Sequence, residues 1–227
     1  MKMMERMRRW FKLRFAITYP FGLFLLLYCS PTHRSFVVGM GFIMAGLLWR
    51  VWANGYAIKT EKLTTSGPYA FMRHPLYFGT MLVAIGFMVM LRTSLAGFCF
   101  IVIMLLVYYR TMKNEERALT EKYGDKYLRY KSKVPALFPA FFPYPEGEKW
   151  AFSIRRVIEN TEYKLFFWVI NIAIIFRLKG YFFIEHATFS AKIWLLIALF
   201  FIFAAVDITG EIVKWRRKRV AAKMHRQ

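Results

Sequence analysis

Leu76-Tyr77-Phe78-Gly79-Thr80-Met81-Leu82-Val83-Ala84-Ile85-Gly86-Phe87-Met88-Val89-Met90-Leu91, then Arg92-Thr93-Ser94, then Leu95-Ala96-Gly97-Phe98-Cys99-Phe100-Ile101-Val102-Ile103-Met104-Leu105-Leu106-Val107-Tyr108-Tyr109, is the stretch that decides the fold. Two apolar runs parted by three residues make an antiparallel helical hairpin with a very tight turn. The polar flanks of that hairpin return to one side of it. Arg73-His74-Pro75 precedes the first run and Asn114-Glu115-Glu116 follows the second. A straight hairpin holds them about one helix-packing distance apart, roughly 8 to 10 Å.

Working outward, further apolar runs occupy residues 15–29, 36–49, 165–176 and 193–206. The whole chain of 227 residues is 58% hydrophobic and 19% aromatic, with a mean hydropathy of +0.33, which excludes an ordinary soluble domain. Each run is shorter than the roughly 20 residues of a spanning helix, so aromatic and snorkelling flanks must supply the rest. The expected fold is an all-α polytopic membrane bundle of about six transmembrane helices, completed by a cytoplasmic amphipathic helix.

Charge orients that bundle. The net charge of +21 comes from 34 Lys and Arg against 13 Asp and Glu, a balance that suggests nucleic acid in a soluble chain. In an apolar chain it suggests anionic phospholipid and topology instead. If all six runs span, 29 of the 34 basic residues fall on the N-terminal side of the membrane. This is the positive-inside pattern, and it places both termini in the cytoplasm, in a bacterial inner membrane on this reading. The basic residues 1–14 lead into a run with Pro20 and no small-residue cleavage pattern, which reads as an uncleaved first helix. Cys29 and Cys99 show no paired spacing and the four histidines are scattered, so no disulfide framework or metal site is expected.

Residues 113–133 read as a cytoplasmic helix interrupted or ended near Gly124, with Leu119, Tyr123, Tyr127 and Tyr130 at an approximate three-to-four spacing. Residues 136–145 cannot be regular helix, because Pro135, Pro139, Pro143 and Pro145 each remove a donor; they could cap a pocket or lie along the interface. Residues 1–149 are expected to form a core of four spans plus this helix. Residues 150–227 add a second hairpin and the basic tail Lys214-Trp215-Arg216-Arg217-Lys218-Arg219, an expected contact for anionic lipid.

Taken alone, Arg73-His74-Pro75 serves equally well as a helix start with snorkelling side chains or as an anion site at a helix N-terminus. Taken alone, Glu115-Glu116 reads as a solvated helix face paired with Lys or Arg. Gly39, Gly41 and Gly46 suit helix packing, with cofactor binding the other reading. Asp207 and Glu211 could line a groove or pair with Lys214.

Together, Leu63-Thr64-Thr65-Ser66-Gly67-Pro68-Tyr69, Arg73-His74-Pro75-Leu76-Tyr77, Gly79, Glu115-Glu116, Leu119, Tyr123-Gly124, Tyr127, Tyr130 and Val134-Pro135 resemble the isoprenylcysteine carboxyl methyltransferase and phospholipid methyltransferase superfamily. The resemblance runs from about Arg50 to Pro139 and leaves residues 150–227 unmatched. It implies S-adenosylmethionine as methyl donor, S-adenosylhomocysteine as product, and a site at the cytoplasmic membrane face. Carried over, His74 and Tyr77 contact the cofactor, and Glu115 and Glu116 meet its amino or ribose groups; an adenine would want an aromatic wall such as Tyr69, Tyr77 or Tyr127, and Gly79 is a further candidate at the cofactor. Arg73 or Arg50 would suit an anionic acceptor, and an amine acceptor would need a base, for which Glu116 or a tyrosine serves. Family members usually carry Arg before the Val-Pro pair, where this chain has Lys133. The implied acceptor is a lipid or lipid-linked carboxylate, phosphate, amine or thiol, and no nucleic acid is expected. A non-enzymatic membrane scaffold for lipid or a partner is the alternative. A nicotinamide-dependent membrane reductase is a further one, disfavoured because Glu115 and Glu116 would repel the cofactor's phosphates.

Overall fold

A computed structural model describes Leu25 and residues 28–58, 62–160, 162–183 and 190–224. Among the described residues all regular structure is helical: α1 (His33–Tyr56), a 3-10 turn (Gly67–Ala70), α2 (Pro75–Leu91), α3 (Ser94–Tyr123), α4 (Asp125–Lys133), α5 (Ile154–Glu159), α6 (Glu162–Phe183) and α7 (Ala191–Met224). The chain divides into two compact units, Met1–Glu162 and Tyr163–Gln227. Among the described residues three helices are long and apolar enough to cross a membrane, His33–Tyr56, Leu95–Tyr123 and Tyr163–Phe183, as in a multi-pass membrane protein. Two further apolar helices, Pro75–Leu91 and Ala191–Val206, are shorter. Of the six expected spans, the run at 15–29 lies largely outside the described residues, as do the side chains of Asp207, Glu211 and the tail from Lys214 to Arg219.

In the first unit, α1 opens on a capping box. The Thr32 hydroxyl accepts from the Ser35 N–H, while the Thr32 N–H donates to Ser35 Oγ. Ser35 Oγ also donates to the Met90 carbonyl at 2.8 Å, which ties the start of α1 to the end of α2. From there the two helices run antiparallel along their length with almost no gap. A Cβ added to Gly39 would stand 2.5 Å from the Gly86 carbonyl oxygen, and one added to Gly46 would stand 2.6 Å from that of Gly79. Glycine at these positions lets two backbones touch, the usual means of association where lipid removes the hydrophobic drive. Gly41 faces open space. At the far end of the crossing the Arg50 guanidinium donates to the Leu76 carbonyl and to Thr80 Oγ1.

Pro75 takes the first helical position of α2, where its missing N–H costs nothing. Arg92 ends the helix at φ 57, in the left-handed region, and only Thr93 intervenes before α3. The tight turn read from the sequence is therefore two residues long. α3 carries its apolar span straight into a polar extension. The helix expected over 113–133 is thus the end of this span plus a separate element: Gly124, at φ 53 and ψ −130, turns the chain into α4. α4 buries Tyr127 and Tyr130, which pack with Leu63 and Val134.

Residues 134–153, still within the first unit, are irregular and fold back to the end of α1. The Trp150 indole N–H donates to the Tyr56 carbonyl, and the Ser153 N–H and the Arg156 guanidinium both donate to the Gly55 carbonyl. The Phe152 ring fills the space beside Gly55 that a larger residue would need. α5 is thereby docked at the C-terminal end of α1. In the second unit α6 and α7 meet through Phe167 and Phe203, whose rings lie 5.3 Å apart.

Candidate active site at the head of α2

Glu116 is the centre of the arrangement. It sits in the polar C-terminal part of α3, beyond the apolar stretch that ends at Tyr109, yet it is only 4% exposed. Its Oε1 accepts from Arg73 Nε at 3.0 Å and from Arg73 Nη2 at 2.7 Å, and His74 Nε2 lies 3.4 Å away. Its Oε2 accepts from Lys131 Nζ at 2.9 Å. The His74 hydrogen bond is the largest influence holding this carboxyl well below the ordinary carboxylate range. Lys131 and Arg73 add to it, against the opposing cost of burial. A carboxylate removed from water is tolerable only with partners of this kind.

Arg73 has a second set of partners. Its Nη1 donates to the carbonyls of Lys131 at 2.8 Å and Val134 at 2.6 Å, the end of α4 where carbonyls lack helical partners. The backbone repeats the connection, since the N–H groups of Arg73 and His74 donate to the carbonyls of Pro135 and Ala136 at 2.9 and 3.0 Å. One guanidinium therefore joins α3, α4 and the segment ahead of α2.

The more open side belongs to Glu115, whose side chain is 47% exposed. Tyr77 donates its phenol to Glu115 Oε1 at 2.6 Å, and His74 Nδ1 stands 3.6 Å from Glu115 Oε2. The Tyr77 ring lies 4.9 Å from that of Tyr108 and 5.7 Å from the imidazole. A half-exposed carboxylate framed by a phenol, an imidazole and aromatic faces can accept from an ammonium or a sugar hydroxyl and stack a flat ring. Beneath it, the Tyr127 hydroxyl is buried and has no partner among the described residues. Burial first, then the charge of Glu116, pushes the Tyr127 phenol up. Tyr130 donates to the Tyr69 carbonyl at 2.6 Å. No group of three potential metal ligands occurs among the described residues.

With this geometry in view, the comparisons with known proteins align the same part of the chain. The family described as phospholipid methyltransferase matches residues 42–126, which include Arg73, His74, Tyr77, Glu115 and Glu116. The chain resembles the isoprenylcysteine carboxyl methyltransferase and phospholipid methyltransferase superfamily. Human protein-S-isoprenylcysteine O-methyltransferase is 36% identical over 80 residues, 35% of this chain and 28% of the relative. The Arabidopsis thaliana protein-S-isoprenylcysteine O-methyltransferase B is 33% identical over 79 residues, 35% of this chain and 40% of the relative. A third relative, the cobalt-zinc-cadmium resistance protein CzcN of Cupriavidus metallidurans, is 24% identical over 139 residues, 61% of this chain and 63% of its own length. The chain thus matches well under half the length of these two methyltransferases. No solved structure matches it.

Within this superfamily-like segment the structure separates residues that the sequence grouped. Arg73, His74, Tyr77, Glu115 and Glu116 come together. Gly79 lies in the α1–α2 crossing, its open side filled by the Arg50 side chain and the Gly46 carbonyl. Tyr69 contributes its carbonyl to Tyr130. The geometry gives no support to Glu116 as a base, because a carboxylate held by the Arg73 guanidinium and the Lys131 ammonium is a poor proton acceptor. Nor does it leave Arg73 open to an acceptor, since its guanidinium is committed to Glu116 and to two carbonyls. Lys133 pairs on the surface with Glu146. Sequence reasoning missed Lys131 and Tyr108, and Lys131 carries no signal that marks it out within a basic run.

Proposed function

We propose that this chain is an S-adenosylmethionine-dependent integral membrane methyltransferase acting on a lipid or lipid-linked acceptor at the cytoplasmic membrane face. The observation that carries the reading is the half-exposed Glu115, held by Tyr77 and His74 at the head of an apolar helix pair. The donor set suits the cofactor: Glu115 would hold its ammonium or ribose hydroxyls, and Tyr77 with Tyr108 would offer an apolar wall. When bound, the cofactor supplies a methyl group on a sulfonium. Glu116 acts one layer behind, fixing the His74 ring and, through Arg73, the end of α4. Positioning and exclusion of water are what these residues provide. With Glu116 committed as an ion, an acceptor oxygen already ionised at neutral pH suits the site better than an amine that must first lose a proton. The names of the O-methyltransferase relatives accord with that choice.

Calorimetric titration of the detergent-purified protein with S-adenosylhomocysteine tests the proposal. His74→Ala and Glu115→Ala are each expected to weaken binding about tenfold, the effect of losing one hydrogen bond to a charged group. No heat from the wild-type protein, or unchanged affinity in both variants, would refute it. Membrane lipid extracts incubated with a donor carrying a radioactive methyl group, with and without the protein, then reveal the acceptor.

A further inference from the structure

Three phenylalanines stand almost bare on the irregular strap that follows α4. Phe141 is 98% exposed, Phe142 85% and Phe138 66%, in a chain whose polar surface has ample Lys and Arg to offer instead. So much aromatic surface in water is unfavourable, at about 25 cal/mol for each Å² left uncovered. The strap is not loose. Its Ala136 carbonyl accepts from the His74 N–H, the Ala140 N–H donates to the Phe71 carbonyl at 2.8 Å, and the Tyr144 N–H donates to the Ala70 carbonyl at 2.8 Å. These anchors fall on residues 70–74, immediately ahead of Pro75, the first residue of α2. The three rings are thus fixed at the level where an apolar helix begins.

A second bare patch lies at the matching level of the neighbouring helix. α5, docked on Gly55 at the end of α1, exposes Ile154 and Ile158, with Phe152 partly exposed beside them. Because α1 and α2 are antiparallel, the end of α1 and the start of α2 share one face of the membrane. The two patches therefore belong to one band. Aromatic and aliphatic residues at the end of a span, among basic ones, are the signature of the headgroup interface.

We propose that the strap at Phe138, Phe141 and Phe142 is a membrane-interface anchor, its rings immersed among lipid headgroups and upper acyl chains. The inference rests on α1 and α2 lying in the bilayer and does not depend on methyl transfer. Since the Arg73 and His74 amides hold the same strap, the anchor also sets the height of the Glu115 cluster above the lipid.

The test uses the full chain with Cys29→Ser and Cys99→Ser, reconstituted in nanodiscs of phosphatidylethanolamine and phosphatidylglycerol. Single variants Phe138→Cys, Phe141→Cys and Phe142→Cys carry an environment-sensitive fluorophore, and Glu121→Cys, further along the polar extension of α3, serves as the water-facing control. Nitroxide attached near the lipid headgroup is expected to quench the strap labels several-fold more than the control, with iodide showing the reverse order. Iodide quenching equal to that at position 121, or blue-shifted emission that lipid nitroxides leave untouched, overturns the proposal. The second of those outcomes would point to a protein partner or a second copy.

Discussion

Glu116 shows how one buried charge can tie three segments of a chain together, through Arg73, His74 and Lys131. Replacing it by Gln keeps the shape but leaves Arg73 and Lys131 facing a neutral amide, at a cost of about 3 kcal/mol. The pH dependence follows from the direction of its shift. Its folded-state pKa lies below the ordinary value of 4.5, so its contribution is complete above about pH 4.5 and fades as the pH falls further. Thermal unfolding followed by circular dichroism should therefore show a wide stability gap between wild type and Glu116→Gln at neutral pH. That gap should narrow as the solution is acidified below the ordinary carboxylate range. A gap independent of pH would mean that the carboxylate is not the group holding the cluster.

Among the helices, the α1–α2 crossing tests whether glycine is there for contact. Gly39→Ala places a methyl 2.5 Å from a carbonyl oxygen, and overpacking of that kind costs about 1 to 3 kcal/mol. Gly41→Ala meets nothing within 4 Å and is expected to leave the melting temperature unchanged or to raise it through better helix propensity. Equal destabilisation by both would count against the crossing. Much at this scale was legible before any coordinates. Three polar residues between two apolar runs force a hairpin, and the hairpin brings Arg73-His74 towards Glu115-Glu116. Proline spacing likewise ruled out helix over 136–145. The partners from α4 were not legible, because the direction of that helix is set by the backbone angles of one glycine, Gly124. Hence Lys131 reaches Glu116 while Lys133, two residues on, points away to Glu146. The pairing of residues 73 and 74 with 135 and 136 leaves no periodic trace, since it joins two irregular segments.

For the whole molecule, the distribution of Lys and Arg makes a topological prediction. A fluorescent protein fused after Gln227 should glow, a phosphatase active only when exported should be inactive there, and Thr93→Cys should react with a membrane-impermeant maleimide from outside. An active phosphatase at the C-terminus would reverse the orientation. The path of the chain also imposes an order of events during synthesis. Glu116 lies 43 residues after Arg73, and Lys131, whose carbonyl Arg73 also holds, lies 58 after it. A nascent chain can insert α2 and α3 and close them on α1 while residues 131–136 are still inside the ribosome. Until those residues emerge, Glu116 lacks one of its cations and the Arg73 guanidinium lacks its two carbonyl partners. The helices around Glu116 thus come together first, and the hydrogen-bonded cluster is completed only afterwards.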